Sequence, residues 1–125
     1  MLENKKIAIV GGGHAGLEAA FSLSRMGLHS TIITLDKKAI GRLSCNPAIG
    51  GLAKSHLVKE IDALGGIMGA AADACSIQYK TLNKTKGRAV WSLRSQVDKK
   101  KYPLYIEKLL KKNRSISILE DEAVD

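Results

Sequence analysis

Two cysteines, Cys45 and Cys75, are all the chain has, and they lie far apart in the sequence. They form no Cys-x-x-Cys pair, and the three histidines, His14, His29 and His56, do not complete a zinc spacing. A disulfide scaffold and a zinc site are both excluded on this reading, which leaves an ordinary apolar core to hold the fold. Cys75 sits in an Ala-rich stretch and reads as a small buried hydrophobe. Apolar runs are too short to span a bilayer. The opening Met1-Leu2-Glu3-Asn4-Lys5-Lys6 leads within a few residues into a strand-like stretch and lacks the pattern of a signal peptide. The cytosol is therefore the expected compartment. No repeat and no low-complexity linker interrupts the chain.

What remains is 125 residues with 45% apolar content, enough for one domain with a real core. The net charge of +8 is unevenly placed. Residues 80–119 carry twelve Lys and Arg against two Asp and Glu, whereas residues 120–125 carry four acids and no base. A local basic field of this kind suits either a polyanion such as RNA or a plain solvated face.

The chain opens on a recognisable order. Ile7, Ala8, Ile9 and Val10 form an apolar run without alternation, the mark of a buried parallel strand, here expected over 5–10. Gly11-x-Gly13-x-x-Gly16 follows, and then a helix over 14–26 with Ala15, Ala19, Leu23 and Met26 at helical spacing and Ala20 on the adjoining position. Gly27 ends the helix, and Ser30 to Leu35 form a second strand. Strand, glycine turn and helix in this order suit a dinucleotide pyrophosphate. Gly11 permits the tight turn, Gly13 carries no Cβ to hold phosphates off, and Gly16 lets helix and strand pack closely. The helix N-terminus adds N–H groups and partial positive charge. One expected part is missing: the acid that usually binds the ribose at the end of the second strand is replaced by Thr34, with Asp36 two residues on.

Residues 37–51 read as a long loop with Gly41, Pro47, Gly50 and Gly51, a length that is often functional. A helix over 52–64 is expected to bury Leu52, Ala53, Leu57, Val58, Ile61 and Leu64. A short helix over 67–74 and a hairpin-like excursion over 76–93 follow. A further helix over 102–112 takes Pro103 in its first turn and Tyr105, Ile106 and Leu109 on its buried face. Ser115 to Leu119 supply the third strand of the parallel sheet. The expected fold is thus α/β and Rossmann-like, with an inserted loop, helix and hairpin. Three parallel strands are few for a doubly wound sheet, so the domain over 1–125 is expected to be incomplete.

Three blocks carry a family resemblance. They are Gly11-Gly12-Gly13-His14-Ala15-Gly16-x-Glu18-Ala19-Ala20, Ser44-Cys45-Asn46-Pro47-Ala48-Ile49-Gly50-Gly51, and Leu57-Val58-Lys59-Glu60-Ile61-Asp62-Ala63-Leu64-Gly65-Gly66. Shorter matches continue through Ile77-Gln78, Leu82-Asn83, Lys86-Gly87-x-Ala89-Val90 and Arg94-x-Gln96-x-Asp98. Together they resemble the N-terminus of the MnmG (GidA) family across essentially the whole chain.

The resemblance implies a FAD-binding enzyme. With the GTPase MnmE it modifies C5 of the wobble uridine of certain tRNAs to a carboxymethylaminomethyl or aminomethyl group. A folate gives the one-carbon unit, glycine or ammonium the amine, and NADH reduces the flavin. On this resemblance Gly11, Gly12, Gly13, His14, Ala15 and Gly16 hold FAD, and Thr34 at the ribose position is a family trait. Val124 offers a backbone contact to the adenine, and Cys45 matches a cysteine used in the chemistry. The residues leave three roles open for Cys45: nucleophile at C6 of uracil, acid/base, or site-lining thiol. Lys54, Arg42 or a helix N-terminus would favour its thiolate. Lys86, Arg88 and Arg94 are the candidates to face tRNA or the flavin phosphates. Tyr79 and Trp91 would suit base stacking, with core packing the expected use of Trp91. Two residues depart from the family: Arg88 stands where a proline is usual, and Pro103 interrupts a helix start. Family members are several hundred residues long and usually homodimers. The chain is therefore expected to be an N-terminal fragment that binds FAD weakly or not at all alone. Three other readings stand beside this one: a folate- and FAD-dependent tRNA uridine methyltransferase relative, a generic flavin reductase, against which the basic segment argues, and a truncated, non-catalytic nucleotide-binding product.

Overall fold

A computed structural model describes residues 6–124. The chain divides into two units, one taking in the chain up to Arg42 and again from Pro103, the other Leu43–Tyr102.

The first unit is built on a three-stranded parallel sheet: β1 (Ile7–Val10), β2 (Ser30–Thr34) and β6 (Ile116–Glu120), in the order β1-β2-β6. Ile7 pairs with Ser30 and Val10 with Ile33, while Ser30 pairs with Ile116 and Thr34 with Glu120. Helix α1 (His14–Arg25) connects β1 to β2, and α4 (Lys101–Lys112) leads into β6. This glycine turn between a parallel strand and a helix is the Rossmann-like arrangement. Asn113 fastens the turn before β6: its Nδ2 donates to Ser24 Oγ at 2.7 Å, and its Oδ1 accepts from Ser115 N–H at 3.0 Å.

Elements of this unit form where the sequence places them, but two faces differ. α1 buries Leu17, Ala20 and Phe21; of the expected face Ala20 is buried and Leu23 half-buried, while Ala15, Ala19 and Met26 are exposed. The cause is Gly16. A Cβ there would collide with Gly11 O, so the line of closest approach to the sheet runs through Gly16, Ala20 and their neighbours. In α4 the buried row is Tyr102, Ile106 and Leu110, one step round from the expected Tyr105, Ile106 and Leu109. Pro103 falls in the first turn, where its missing N–H costs no intrahelical bond. β1 starts at Ile7 and is an edge of the sheet, with Val10 exposed, so it is not the fully buried strand expected. Lys5, its expected first residue, lies outside the described residues.

The second unit holds an antiparallel sheet in the order β3-β5-β4, from β3 (Ala48–Gly50), β4 (Ser76–Leu82) and β5 (Ser92–Val97), with α2 (Ser55–Ala63) and α3 (Met68–Cys75). β4 and β5 are the expected hairpin, extended to Val97. The end of the presumed loop, Ala48–Gly50, is a strand on β5. Gly50 has φ +86°, and a Cβ on it would collide with Leu93 O. Ser55 locks this corner: its Oγ accepts from Gly51 N–H at 2.9 Å and lies 2.5 Å from Leu93 O.

α2 turns only part of its expected stripe inward: Val58 and Ile61 are half-buried, but the leucines are not covered. Leu52 is 56% exposed, Leu57 57% and Leu64 81%. The helix begins only at Ser55, and Ala53 has a positive φ of 54°, so Leu52 and Ala53 are off the helix. The face turned inward carries Ser55, Val58 and Ile61. Cys75 is buried as expected. No helix among the described residues is long and apolar enough to cross a membrane.

Candidate functional site

The glycine turn is the most constrained backbone at the ends of the parallel strands. Gly11 has φ +104°, a region that favours glycine, and its N–H donates to Ile33 O at 2.8 Å. A Cβ on Gly12 would come within 2.8 Å of Ile40 Cγ1 and 3.3 Å of Thr34 Oγ1. Gly12 O accepts from Gly41 N–H at 3.1 Å, which ties the turn to the segment after β2. Gly16 has no room for a Cβ against Gly11 O.

Gly13 is different. It is the N-cap of α1 at φ −76° and ψ −176°, a conformation open to any residue. A Cβ on it would meet no atom within 4 Å. Neither backbone nor packing requires glycine at this position. No side chain caps α1, and no acid stands in its first turn. The arrangement leaves an open approach to a helix N-terminus, which is what an anion needs. Burial lowers the pKa of His14, the first residue of α1, against the opposing pull of the Glu18 carboxylate.

Beside the turn, a cleft of about 480 Å³ opens at the C-terminal ends of β1, β2 and β6. Its walls include Val10, Gly11, Thr34, Asp36, Arg42, Asp121 and Glu122. Thr34 O accepts from Asp121 N–H at 3.0 Å, while Thr34 Oγ1 donates to Asp36 O at 3.4 Å. One Asp36 oxygen accepts from Lys38 N–H at 2.8 Å and caps the single turn Lys37–Ala39. The volume and the position outside the carboxyl ends of parallel strands suit a nucleotide. A larger cleft of about 600 Å³ lies elsewhere in this unit, between α4 and β6. It touches neither the glycine turn nor the start of α1.

The expected residues thus divide. Gly11 and Thr34 line the cleft, and Gly12 backs onto Thr34. Gly13, His14, Ala15 and Gly16 form the start of α1. Val124 is 82% exposed and just beyond Ala123, the last lining residue. Asp121 and Glu122 were not expected in the site. Their signal was present as the acidic run after residue 119, but charge alone does not tell a wall from a tail.

In the second unit Cys45 is a free, exposed thiol in the bend before β3. That bend is held at its far end, where Val97 N–H donates to Pro47 O at 2.8 Å. A small cleft of about 150 Å³ lies among α2, α3 and the sheet, with Asp62, Asp73 and Tyr79 in its wall. Tyr79 Oη donates to Asp73 Oδ1 at 2.5 Å, a bond that raises the Tyr79 pKa. Trp91, expected in the core, is 41% exposed.

A family model described as glucose inhibited division protein A matches residues 6–125. A tRNA uridine 5-carboxymethylaminomethyl modification enzyme MnmG of Thermodesulfovibrio yellowstonii is 53% identical over 112 residues, covering 90% of this chain and 18% of that protein. The protein of the same name in Campylobacter fetus is 48% identical over 122 residues, covering 98% of this chain and 20% of its own length. The chain therefore spans about a fifth of these curated relatives. Among solved structures, Aquifex aeolicus GidA superposes with a TM-score of 0.89 at 49% identity, covering 98% of this chain and 20% of that one. Pseudomonas aeruginosa PqsL superposes with a TM-score of 0.61 at 14% identity over 97% of this chain and 36% of that one, a likeness of fold alone.

Proposed function

The chain belongs to the glucose inhibited division protein A (GidA) family, and on that premise we propose that it forms the FAD-binding opening of a tRNA wobble-uridine modification enzyme. One observation carries the cofactor reading: Gly13 is a glycine that neither its own backbone angles nor any protein atom requires. A ligand that needs the space accounts for it.

On this reading the turn Gly11–Gly16 and the start of α1 receive the pyrophosphate of FAD through backbone N–H groups and the helix N-terminus. Thr34 and the carboxylates of Asp36 and Asp121 line the neighbouring cleft, where acceptors suit ribose hydroxyls and an adenine amino group better than phosphate. Val124 supplies a backbone contact to the adenine. Bound FAD would supply the redox chemistry of the enzyme. Cys45 is the thiol assigned to the uridine, since a thiolate adding at C6 makes C5 nucleophilic. NADH as reductant, folate as one-carbon donor, MnmE as partner and a homodimer belong to the same proposal for a full-length protein, which acts in the cytoplasm. The tRNA substrate follows from the activity for which these relatives are named.

The test is a graft. Placed in the matching stretch of the Aquifex aeolicus relative, this chain is expected to give a protein that retains flavin and modifies tRNA uridine. Cys45→Ser in the graft is expected to keep the flavin and lose modification. Modification that survives the change removes Cys45 from the chemistry, and a graft that folds without flavin removes the cofactor reading.

A further inference from the structure

Residues 76–97 carry five cations, Lys80, Lys84, Lys86, Arg88 and Arg94, and no carboxylate. They form β4, β5 and the turn between them. Within that turn Trp91 presents a ring that is exposed yet held in place. Its Nε1 donates to Lys86 O at 3.0 Å, and its backbone N–H donates to Arg88 O at 3.2 Å. Asn83 Nδ2 braces the same turn by donating to Val90 O at 3.2 Å. The Arg88 guanidinium carbon stands 5.7 Å from the Trp91 ring centroid, within cation–π range. A ring fixed before binding loses little freedom when it takes a partner.

Charge alone would attract any polyanion. The fixed, exposed ring adds an aromatic face, and unpaired RNA offers a partner to both features at once. A duplex keeps its base faces inside its own stack and offers only phosphates. We propose that this hairpin turn is a stacking platform for an unpaired RNA base, with Trp91 as the stacking face, Arg88 as its cationic cap and Lys84 and Lys86 against the phosphates. The proposal rests on the tRNA reading above and extends it by naming the surface and the strand type.

Trp91 is the chain's one tryptophan, so its emission reports on the platform alone. The chain is titrated with a short oligouridylate, with an RNA duplex of equal length and with inorganic polyphosphate, and binding is followed separately by calorimetry. The oligouridylate is expected to bind and to quench Trp91, while duplex and polyphosphate bind with emission unchanged. Trp91→Ala is expected to weaken oligouridylate binding about tenfold and leave polyphosphate binding as it was, and Trp91→Phe to restore most of the loss. Oligouridylate that binds without quenching overturns the platform and leaves the tRNA reading standing. Equal quenching by all three polyanions also overturns it, because charge would then suffice. Failure of any RNA to bind overturns the platform together with the RNA reading of this surface, while the flavin result on the graft judges the cofactor reading independently.

Discussion

Gly11, Gly13 and Gly16 are glycines for three separate reasons. Gly11 needs its positive φ, Gly16 has no room for a side chain, and Gly13 has both an ordinary φ and open space. The consequences of substitution therefore diverge. Gly16→Ala is expected to lose about 1–3 kcal/mol of stability, because its methyl group meets Gly11 O and the strand behind it. Gly13→Ala is expected to stay within about 0.5 kcal/mol of the parent. Urea denaturation of both variants decides this, and equal losses would contradict the distinction. The spacing of the three glycines was legible in the sequence. The motif also offers Gly13 to the phosphates, and the structure adds the empty space around a Cβ there, which no sequence shows. His14 adds a pH dependence. Burial lowers its folded pKa below the ordinary 6.5, so the fold favours neutral imidazole. Its contribution is complete above that ordinary value and declines as pH falls below it. Asp98 acts in the same direction at lower pH. Hydrogen bonds from the backbone N–H groups of Lys101 and Lys100 hold its carboxyl below the usual range. Its contribution is lost as pH falls through that lowered value. Melting temperature measured against pH should drop in two stages on acidification, and His14→Gln should flatten the upper one.

At the scale of elements, periodicity named α1, α2 and α4 and misplaced several faces. α2 is the plainest instance. Its leucines repeat at helical spacing, yet the element starts three residues later than that repeat suggests, and its inward side chains are Ser55, Val58 and Ile61. A sequence does not announce that Ala53 takes a positive φ, and this offset moved Leu52 off the helix. Leu57→Lys is therefore expected to change stability by no more than about 0.5 kcal/mol in urea denaturation. A truly buried leucine would cost about 2–5 kcal/mol, and a loss of that size would contradict the observed exposure. Ser55→Ala is the opposite case. It leaves Leu93 O without the Oγ that stands 2.5 Å away in a buried corner, at an expected cost of about 1–3 kcal/mol. Nothing in the sequence marked Ser55, because a buried serine is recognisable only once its partners on β5 are known. Trp91 departs from its expected place in the core for a related reason: aromatic residues are usually buried, and the turn's own hydrogen bonds are what hold this one at the surface.

For the molecule as a whole, the glycine turn, the parallel strands and the hairpin excursion were readable from residue order, while the strand order β1-β2-β6 and its register were not. The glycine turn and the hairpin are local features, fixed by a strand followed at once by glycines or by two strands that follow one another in the chain, whereas β2 and β6 pair across a long separation. The acidic wall of the cleft was not readable, since Asp121 and Glu122 meet Thr34 only after β6 is laid beside β2. The central claim is that the Gly11–Gly16 turn and this cleft receive FAD. It is tested most directly by amide NMR of the isotopically labelled chain during titration with FAD, a method that registers even weak binding. The account predicts that shifts concentrate at residues 11–16 and at Thr34, Asp121 and Glu122. It also predicts that Gly13→Val keeps the spectrum of the folded chain and abolishes those shifts. Shifts centred elsewhere, or unchanged in Gly13→Val, would contradict it.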